Sequence, residues 1–296
     1  MSRLPAVDPH SMSTAYLFPG QGSQSIGMGA ALFGRFHDWT ADADAILGYS
    51  IRELCLDDPR AELALTQFTQ PALYVVNAMT WRARQEDGEP HPAFVAGHSL
   101  GEYNALLAAG VFDFGTGLRI VQRRGALMAE VSGGGMAAVI GLQPDAIERV
   151  LAATEEGRRL DVANYNAFDQ TVIAGPQEDL RAVAAAFEQA GARAFTPLKV
   201  SAPFHSRYMQ EPMREFGVFL DTFTLGAPNI PVISNVTAEP YPNDAVRDTL
   251  ARQIGQSVRW LDSMLYLLDR EVATFVEVGP GNVLTKLLAR IRKARG

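Results

Sequence analysis

Gly97-His98-Ser99-Leu100-Gly101 constrains this chain more than any other segment. The short apolar run Ala93-Phe94-Val95-Ala96 precedes it, and the helix-like stretch Glu102-Tyr103-Asn104-Ala105-Leu106-Leu107-Ala108-Ala109 follows. Strand, G-x-S-x-G, then helix is the context a nucleophile elbow requires. Flanking glycines let two backbones pass close to a strained turn, which lifts a serine hydroxyl clear of a sheet. A hydroxyl there also faces helix N-terminal amides, which favour developing negative charge. A plainer reading makes Ser99-x-x-Glu102 a capping box that only starts a helix. The two glycines and the apolar strand together favour the nucleophile.

Composition narrows the classes without choosing one. A chain of 296 residues with 47% hydrophobic content can bury one large or two modest cores. The net charge of -7, with no basic stripe interleaved with aromatics, argues against nucleic acid as a partner. The single cysteine, Cys55, excludes an internal disulfide and a cysteine-based metal site. Its helix-like setting from Ile51 to Leu56 reads as a packed core thiol. No apolar stretch approaches the ~20 residues of a membrane span, so no membrane role is expected. Residues 1–13 lack the apolar core of a signal peptide and read as a disordered extension. These features predict a cytoplasmic protein with no metal.

Along the chain, strands and helices alternate from Thr14 to about Val131, the mark of a mostly parallel sheet covered by helices. Thr69-Gln70-Pro71 is expected to open one of those helices, with Pro71 in its first turn. Val131-Ser132-Gly133-Gly134-Gly135 reads as a glycine-rich hinge. Beyond it, strand Met136–Gly141, helix Pro144–Ala153 and strand Asp161–Asn164 precede strand Gln170–Gly175, helix Leu180–Ala190 and strand Arg193–Val200. That βαββαβ order is a ferredoxin-like split unit. The expected architecture is α/β: a hydrolase-like body (14–131 and 201–293) with an inserted ferredoxin-like α+β subdomain (132–200). In the returning body, Val232–Val236 reads as a strand and Val246–Ile254 as a helix. A cleft near Ser99 and the Ala202-Pro203-Phe204-His205-Ser206 loop is the expected ligand site.

Serine at neutral pH needs a base. His98 leaves the tight turn in another direction, His10 falls in the N-terminal extension, and His37 and His91 sit in polar, loop-like settings. His205, bracketed by Phe204 and Met209 at the return into the body, is the best base. No acidic residue between Ser99 and His205 stands in an attractive motif for a third member. A neutral amide or a backbone carbonyl is therefore expected to orient the histidine, which weakens the case for a general lipase or esterase.

From Tyr16 to Arg292 the chain resembles the malonyl-CoA:acyl carrier protein transacylases and the free-standing acyltransferases of trans-acyltransferase polyketide synthases. Six segments in order carry the resemblance: Phe18–Gln24, Gly97–Glu102, Gln122–Met128, Met136–Gly141, Ala202–Ser206 and Val278–Gly281. It implies a hydrolase-like body with a ferredoxin-like insertion. Ser99 would be the acylated nucleophile, His205 its acid-base partner, and Gln253 the histidine-orienting position, acting through a backbone carbonyl. Backbone amides of Gln21 and Leu100 would form the oxyanion hole, and Arg124 would hold a malonyl carboxylate as a bidentate fork. Phe204 fits malonyl, since its ring would crowd an α-methyl group, and Met128 would line the same pocket. Each has a plainer alternative: Gln21 a turn residue, Gln253 an exposed helix residue, Arg124 a surface ion pair, Phe204 and Met128 core packing.

The resemblance implies malonyl-CoA as substrate rather than cofactor, and no cofactor at all. Its implied partner is a phosphopantetheinylated acyl carrier protein, within a polyketide synthase assembly or a fatty-acid pathway. An acyl hydrolase clearing stalled chains from carrier proteins, and a silent docking subunit, are the alternatives. For carrier docking, two basic patches are expected to matter: Arg290, Arg292, Lys293 and Arg295 at the C-terminus, and Arg207 with Arg214 near the return.

Overall fold

The first ordered strand ends where the chemistry begins. In the computed structural model, which describes residues 13–200 and 202–296, β1 (Thr14–Phe18) is followed by α1 (Ala30–Arg35), α2 (His37–Leu47), α3 (Ile51–Leu56) and α4 (Thr66–Glu86). Then come β2 (Phe94–Gly97), α5 (Gly101–Ala108) and α6 (Phe114–Glu130). The inserted run is β3 (Gly134–Ile140), α7 (Pro144–Ala153), β4 (Asp161–Ala167), β5 (Gln170–Pro176), α8 (Gln177–Ala182), α9 (Ala184–Gln189) and β6 (Ala194–Pro197). The chain returns through α10 (Gln210–Leu220), β7 (Val232–Ile233), α11 (Val246–Arg252), α12 (Trp260–Asp269), β8 (Thr274–Glu277) and α13 (Val283–Arg295).

The body sheet has the order β7-β2-β1-β8 with every pair parallel. β1, β2 and β7 are almost wholly buried, as parallel strands covered on both faces are, while edge strand β8 is only partly so. Tyr16, Phe18 and Val95 pack with Leu73, Leu106 and Val121 of α4, α5 and α6. Ala15, Leu17, Ala96 and Ile233 turn the other way, onto Trp260, Met264, Leu284 and Leu288 of α12 and α13. Because the strands are parallel, their carboxyl ends share one edge, the usual place for a ligand in such sheets. Phe18 stands in register with Gly97, so the loop after β1 and the turn after β2 lie side by side. Asn77 fixes that loop by donating to the Pro19 carbonyl at 3.0 Å and to Asn104 Oδ1 at 3.0 Å. Cys55 is fully buried in this core, and burial pushes its thiol up to about 12.

The inserted sheet has the order β4-β5-β3-β6, antiparallel throughout, around its own core of Ala137, Val139, Ile147, Ile173 and Phe187. That is the order of a ferredoxin-like unit. Several local expectations change. Gly134 and Gly135 pair with Pro176 and Gly175 inside β3 rather than forming a hinge. A side chain at Gly134 would strike the Pro203 ring, so this glycine serves a close approach. The helix expected over 180–190 breaks at Val183, and β6 ends at Pro197. Helix α4 starts a turn before Thr69, because the Leu65 carbonyl accepts from the Phe68 and Thr69 amides, each at 2.8 Å. Pro71 therefore lies inside the helix. β7 is only Val232–Ile233, since Asn235 is diverted to the elbow. Of the extension expected over 1–13, residues 1–12 lie outside the described residues. The Ser13 carbonyl accepts from the Ala273 and Thr274 amides at 3.0 and 3.2 Å. Among the described residues, no helix is long and apolar enough to cross a membrane.

Candidate active site

The turn after β2 holds Ser99 at φ 50°, a left-handed conformation that costs a non-glycine residue about 1–3 kcal/mol. Tight packing sustains it. A side chain on Gly97 would run into the Gly101 backbone, and one on Gly101 would run into the Phe18 carbonyl. Asn235, two residues beyond β7, pins the strained residue: its Oδ1 accepts the Ser99 amide at 2.7 Å, and its Nδ2 donates to the Gly97 carbonyl at 2.7 Å. The capping-box reading fails here. The Ser99 hydroxyl faces His205, and the Glu102 carboxylate accepts the Asn235 amide at 3.1 Å, the Tyr241 hydroxyl at 2.5 Å and Gln253 Nε2 at 2.8 Å.

His205 also lies in the left-handed region, at φ 58°. Its Nδ1 faces two acceptors, the Gln253 carbonyl at 2.9 Å and the Gln256 carbonyl at 3.2 Å. An acceptor-only environment assigns the proton to Nδ1 and leaves the Nε2 lone pair for the Ser99 hydroxyl, 2.7 Å away. The Gln253 carbonyl is free for this because α11 ends at Arg252, leaving terminal carbonyls without helical partners. Burial first, and the Arg124 cation second, lower the histidine to about 3. The imidazole is therefore neutral at physiological pH and able to take a proton.

Arg124, on α6, is 1% exposed. Its Nη1 donates to Gln70 Oε1 at 2.6 Å, and its Nη2 to Ser99 Oγ at 3.1 Å and Gln253 Oε1 at 2.9 Å. All three partners are neutral, and Nε is buried without one among the described residues. Burial pushes the guanidinium down, yet arginine stays charged in proteins. A buried cation with no carboxylate bonded to it is costly. Beside it a small chamber of about 110 Å³ is lined by Ser99, Leu100, Gln21, Met128, Phe204 and His205, among others. Met128 follows Arg124 by one helical turn, which puts both on the chamber face. The amides of Gln21 and Leu100 have no hydrogen-bond acceptor among the described residues, and both residues border the chamber. The Ser99 amide, by contrast, is committed to Asn235.

A profile of the acyl transferase domain matches residues 15–294. The chain belongs to the acyl transferase family. It is 52% identical over 279 residues to the polyketide biosynthesis malonyl CoA-acyl carrier protein transacylase PksC of Bacillus subtilis, covering 94% of this chain and 96% of PksC. It is 53% identical over 277 residues to the polyketide biosynthesis protein ThaF of Burkholderia thailandensis, but spans only 24% of that longer protein. The crystal structure of a malonyl CoA-acyl carrier protein transacylase from Burkholderia pseudomallei is 51% identical, with a TM-score of 0.92, covering 96% of this chain and 99% of that one.

In this acyl transferase, Gln253 is fully buried rather than an exposed helix residue, and Arg124 makes no surface ion pair. Phe204 borders the chamber while packing in the main core. Sequence reasoning missed Gln70, Asn235 and Tyr241. It also missed the role of Glu102, which it placed only in a cap. His98 turns away from Ser99, with Nε2 2.8 Å from Asn166 Oδ1 and its ring against Trp260. Beyond the chamber, a groove of about 800 Å³ runs from His205 between α7, β4 and the Gly255–Arg259 segment. The expected basic patches are largely neutralised. Arg290 bonds Asp169, Arg295 bonds Asp269, Arg207 bonds Asp161 and Arg214 bonds Glu211. Among the described residues, no cluster of histidine, cysteine and carboxylates is placed to hold a metal.

Proposed function

We propose that this acyl transferase moves a malonyl group from malonyl-CoA to the phosphopantetheine thiol of an acyl carrier protein, through an ester on Ser99. The observation that carries the reading is Arg124: a buried guanidinium, bonded only to neutral acceptors, that reaches the Ser99 hydroxyl. A neutral acyl chain has no use for such a cation, which disfavours the hydrolase alternative. A malonyl ester brings a carboxylate that the planar fork can bind through both oxygens.

In the first half-reaction, His205 Nε2 takes the Ser99 proton as Oγ attacks the thioester carbonyl. Amides of Gln21 and Leu100 stabilise the oxyanion. Collapse breaks the carbon–sulfur bond, and the imidazolium gives its proton to the leaving CoA sulfur. In the second half, the carrier thiol gives its proton to His205 and attacks the ester. Collapse then returns that proton to Ser99. The cycle consumes no cofactor and needs no metal. Phe204 narrows the chamber against an α-methyl group. The 132–200 insertion acts as a subdomain roofing the groove through which the pantetheine arm reaches His205.

A polyketide synthase served in trans is the favoured setting. Identity is 52% to PksC, whose name places it in polyketide biosynthesis, and 41% to the Escherichia coli malonyl CoA-acyl carrier protein transacylase. A malonyl-transacylase solved in complex with a type II polyketide synthase acyl-carrier protein is 38% identical, with a TM-score of 0.91 over 95% of this chain and 93% of that one, and it supports the carrier as partner. Intact-mass spectrometry after brief exposure to malonyl-CoA is the test. One malonyl group on Ser99, handed on when carrier protein is added, is expected. Ser99→Ala should abolish both, a loss on the order of 10⁶ in turnover by analogy with other serine nucleophiles. Free malonate released with no carrier loading would instead establish a hydrolase. A folded Ser99→Ala enzyme that still transfers would reject the mechanism.

A further inference from the structure

Arg124 is buried without a bonded carboxylate, yet a carboxylate lies one amide away. Gln253 spans the gap: its Oε1 accepts Arg124 Nη2 at 2.9 Å, and its Nε2 donates to Glu102 Oε2 at 2.8 Å. Glu102 and Gln253 are both 0% exposed. The second carboxylate oxygen of Glu102 accepts the Tyr241 hydroxyl at 2.5 Å and the Asn235 amide at 3.1 Å. Three donors therefore converge on this carboxylate, the arrangement that keeps a buried charge tolerable. Burial raises the Glu102 carboxyl to about 7 even though those hydrogen bonds and Arg124 favour the carboxylate.

We propose that Glu102 is the remote counter-ion of Arg124 and a positioning residue for malonyl selection, acting through the Gln253 amide. This rests on the reading of Arg124 as the malonyl clamp. A carboxylate can only accept, so Glu102 dictates which way the Gln253 amide faces. Nε2 must point to Glu102 and to the Ser99 carbonyl, which it bonds at 2.7 Å, leaving Oε1 for Arg124. The arginine is thereby aimed at Ser99, and its charge is balanced without filling the guanidinium face that the substrate needs. A carboxylate bonded directly to Arg124 would compete with malonate. One held behind a neutral amide steadies the cation and leaves it open. The same amide residue supplies the carbonyl that holds His205 Nδ1, so clamp and base are set from one point.

Glu102→Gln has one acceptor oxygen for two sets of donors, so its NH2 meets either Gln253 Nε2 or the Asn235 amide; one contact of the network breaks, and the charge that balances Arg124 is gone. The experiment measures kcat/KM with malonyl-CoA and acetyl-CoA in wild type, Glu102→Gln, Tyr241→Phe, Arg124→Ala and the Glu102→Gln/Arg124→Ala double variant. Losses in general folding or in His205 geometry strike both substrates, whereas the malonyl-to-acetyl ratio reports the clamp. The ratio should fall about tenfold in Glu102→Gln, mainly through KM for malonyl-CoA, and about threefold in Tyr241→Phe. Adding Glu102→Gln to Arg124→Ala should not move the ratio further, since the cation it serves is gone. An unchanged ratio in folded Glu102→Gln, beside a collapsed ratio in Arg124→Ala, overturns this proposal and leaves the clamp standing. An unchanged ratio in Arg124→Ala removes the clamp and this proposal together. Should Glu102→Gln fail to fold, Tyr241→Phe decides, and a wild-type ratio there is a refutation.

Discussion

Removing the Arg124 guanidinium separates its proposed hold on malonate from its part in the protein. In the unloaded site it makes three bonds, to Gln70, Ser99 and Gln253. Arg124→Ala strands the side-chain oxygens of Gln70 and Gln253 in a buried setting, at about 1–3 kcal/mol each. That cost applies whichever thioester is bound. Malonate loses more, because hydrogen bonds from a charged donor contribute about 1.5–3 kcal/mol apiece. Even one such bond lost from malonyl and not from acetyl shifts their relative kcat/KM by roughly tenfold to more than a hundredfold. A bidentate contact shifts it further. Arg124→Lys keeps the charge and loses the fork, so its ratio should fall between the two. The assay is steady-state transfer to purified carrier protein with both thioesters, paired with circular dichroism to establish folding. Equal losses for malonyl-CoA and acetyl-CoA in a folded variant would make Arg124 a structural residue and refute the reasoning.

Two further outcomes follow from the same geometry. Asn235→Ala leaves the Ser99 amide and the Gly97 carbonyl without partners beside a strained turn, so chemical denaturation should give a loss of about 2–6 kcal/mol; a change below about 0.5 kcal/mol would mean that the asparagine does not hold the elbow. His205 is held down to about 3 because burial and the Arg124 cation both oppose its protonated form. Single-turnover acylation by acetyl-CoA should then stay level from about pH 7.5 to about pH 5.5, whereas an ordinary histidine near 6.5 would lose about tenfold over that interval.

The elbow was legible because its demands are local. Two glycines, a strand and a helix within about a dozen residues leave few other solutions. The insertion was legible for a similar reason, since the βαββαβ order survives errors of a few residues at each boundary. Asn235 and Tyr241 were not, because nothing near them in sequence hints at chemistry. They reach Ser99 and Glu102 only because β7 pairs beside β2, a long-range fact that no local pattern encodes. Glu102 was visible but misread: spacing alone cannot tell a carboxylate that caps its own helix from one that faces Tyr241 and Gln253. The ion pairs of the basic patches were hidden for the opposite reason. Arg290 looked free along α13, but its partner Asp169 sits in the hairpin between β4 and β5, and charge counting along one helix cannot see across to another element.

The route of the chain through the parallel sheet also sets when the enzyme can first act during its own synthesis. Ser99 and Arg124 emerge early, but the base at 205, the pin at 235 and the carbonyl at 253 lie in the last third. β1 cannot complete its pairing until β8, near residue 274, has been made. At about 5–20 residues per second, the ribosome exposes the serine for several seconds before any partner exists to hold or activate it. A chain not yet made to residue 253 lacks the groups that the folded structure sets around Ser99 and His205. The site is assembled only when the segments carrying residues 205, 235 and 253 pack against those carrying Ser99 and Arg124.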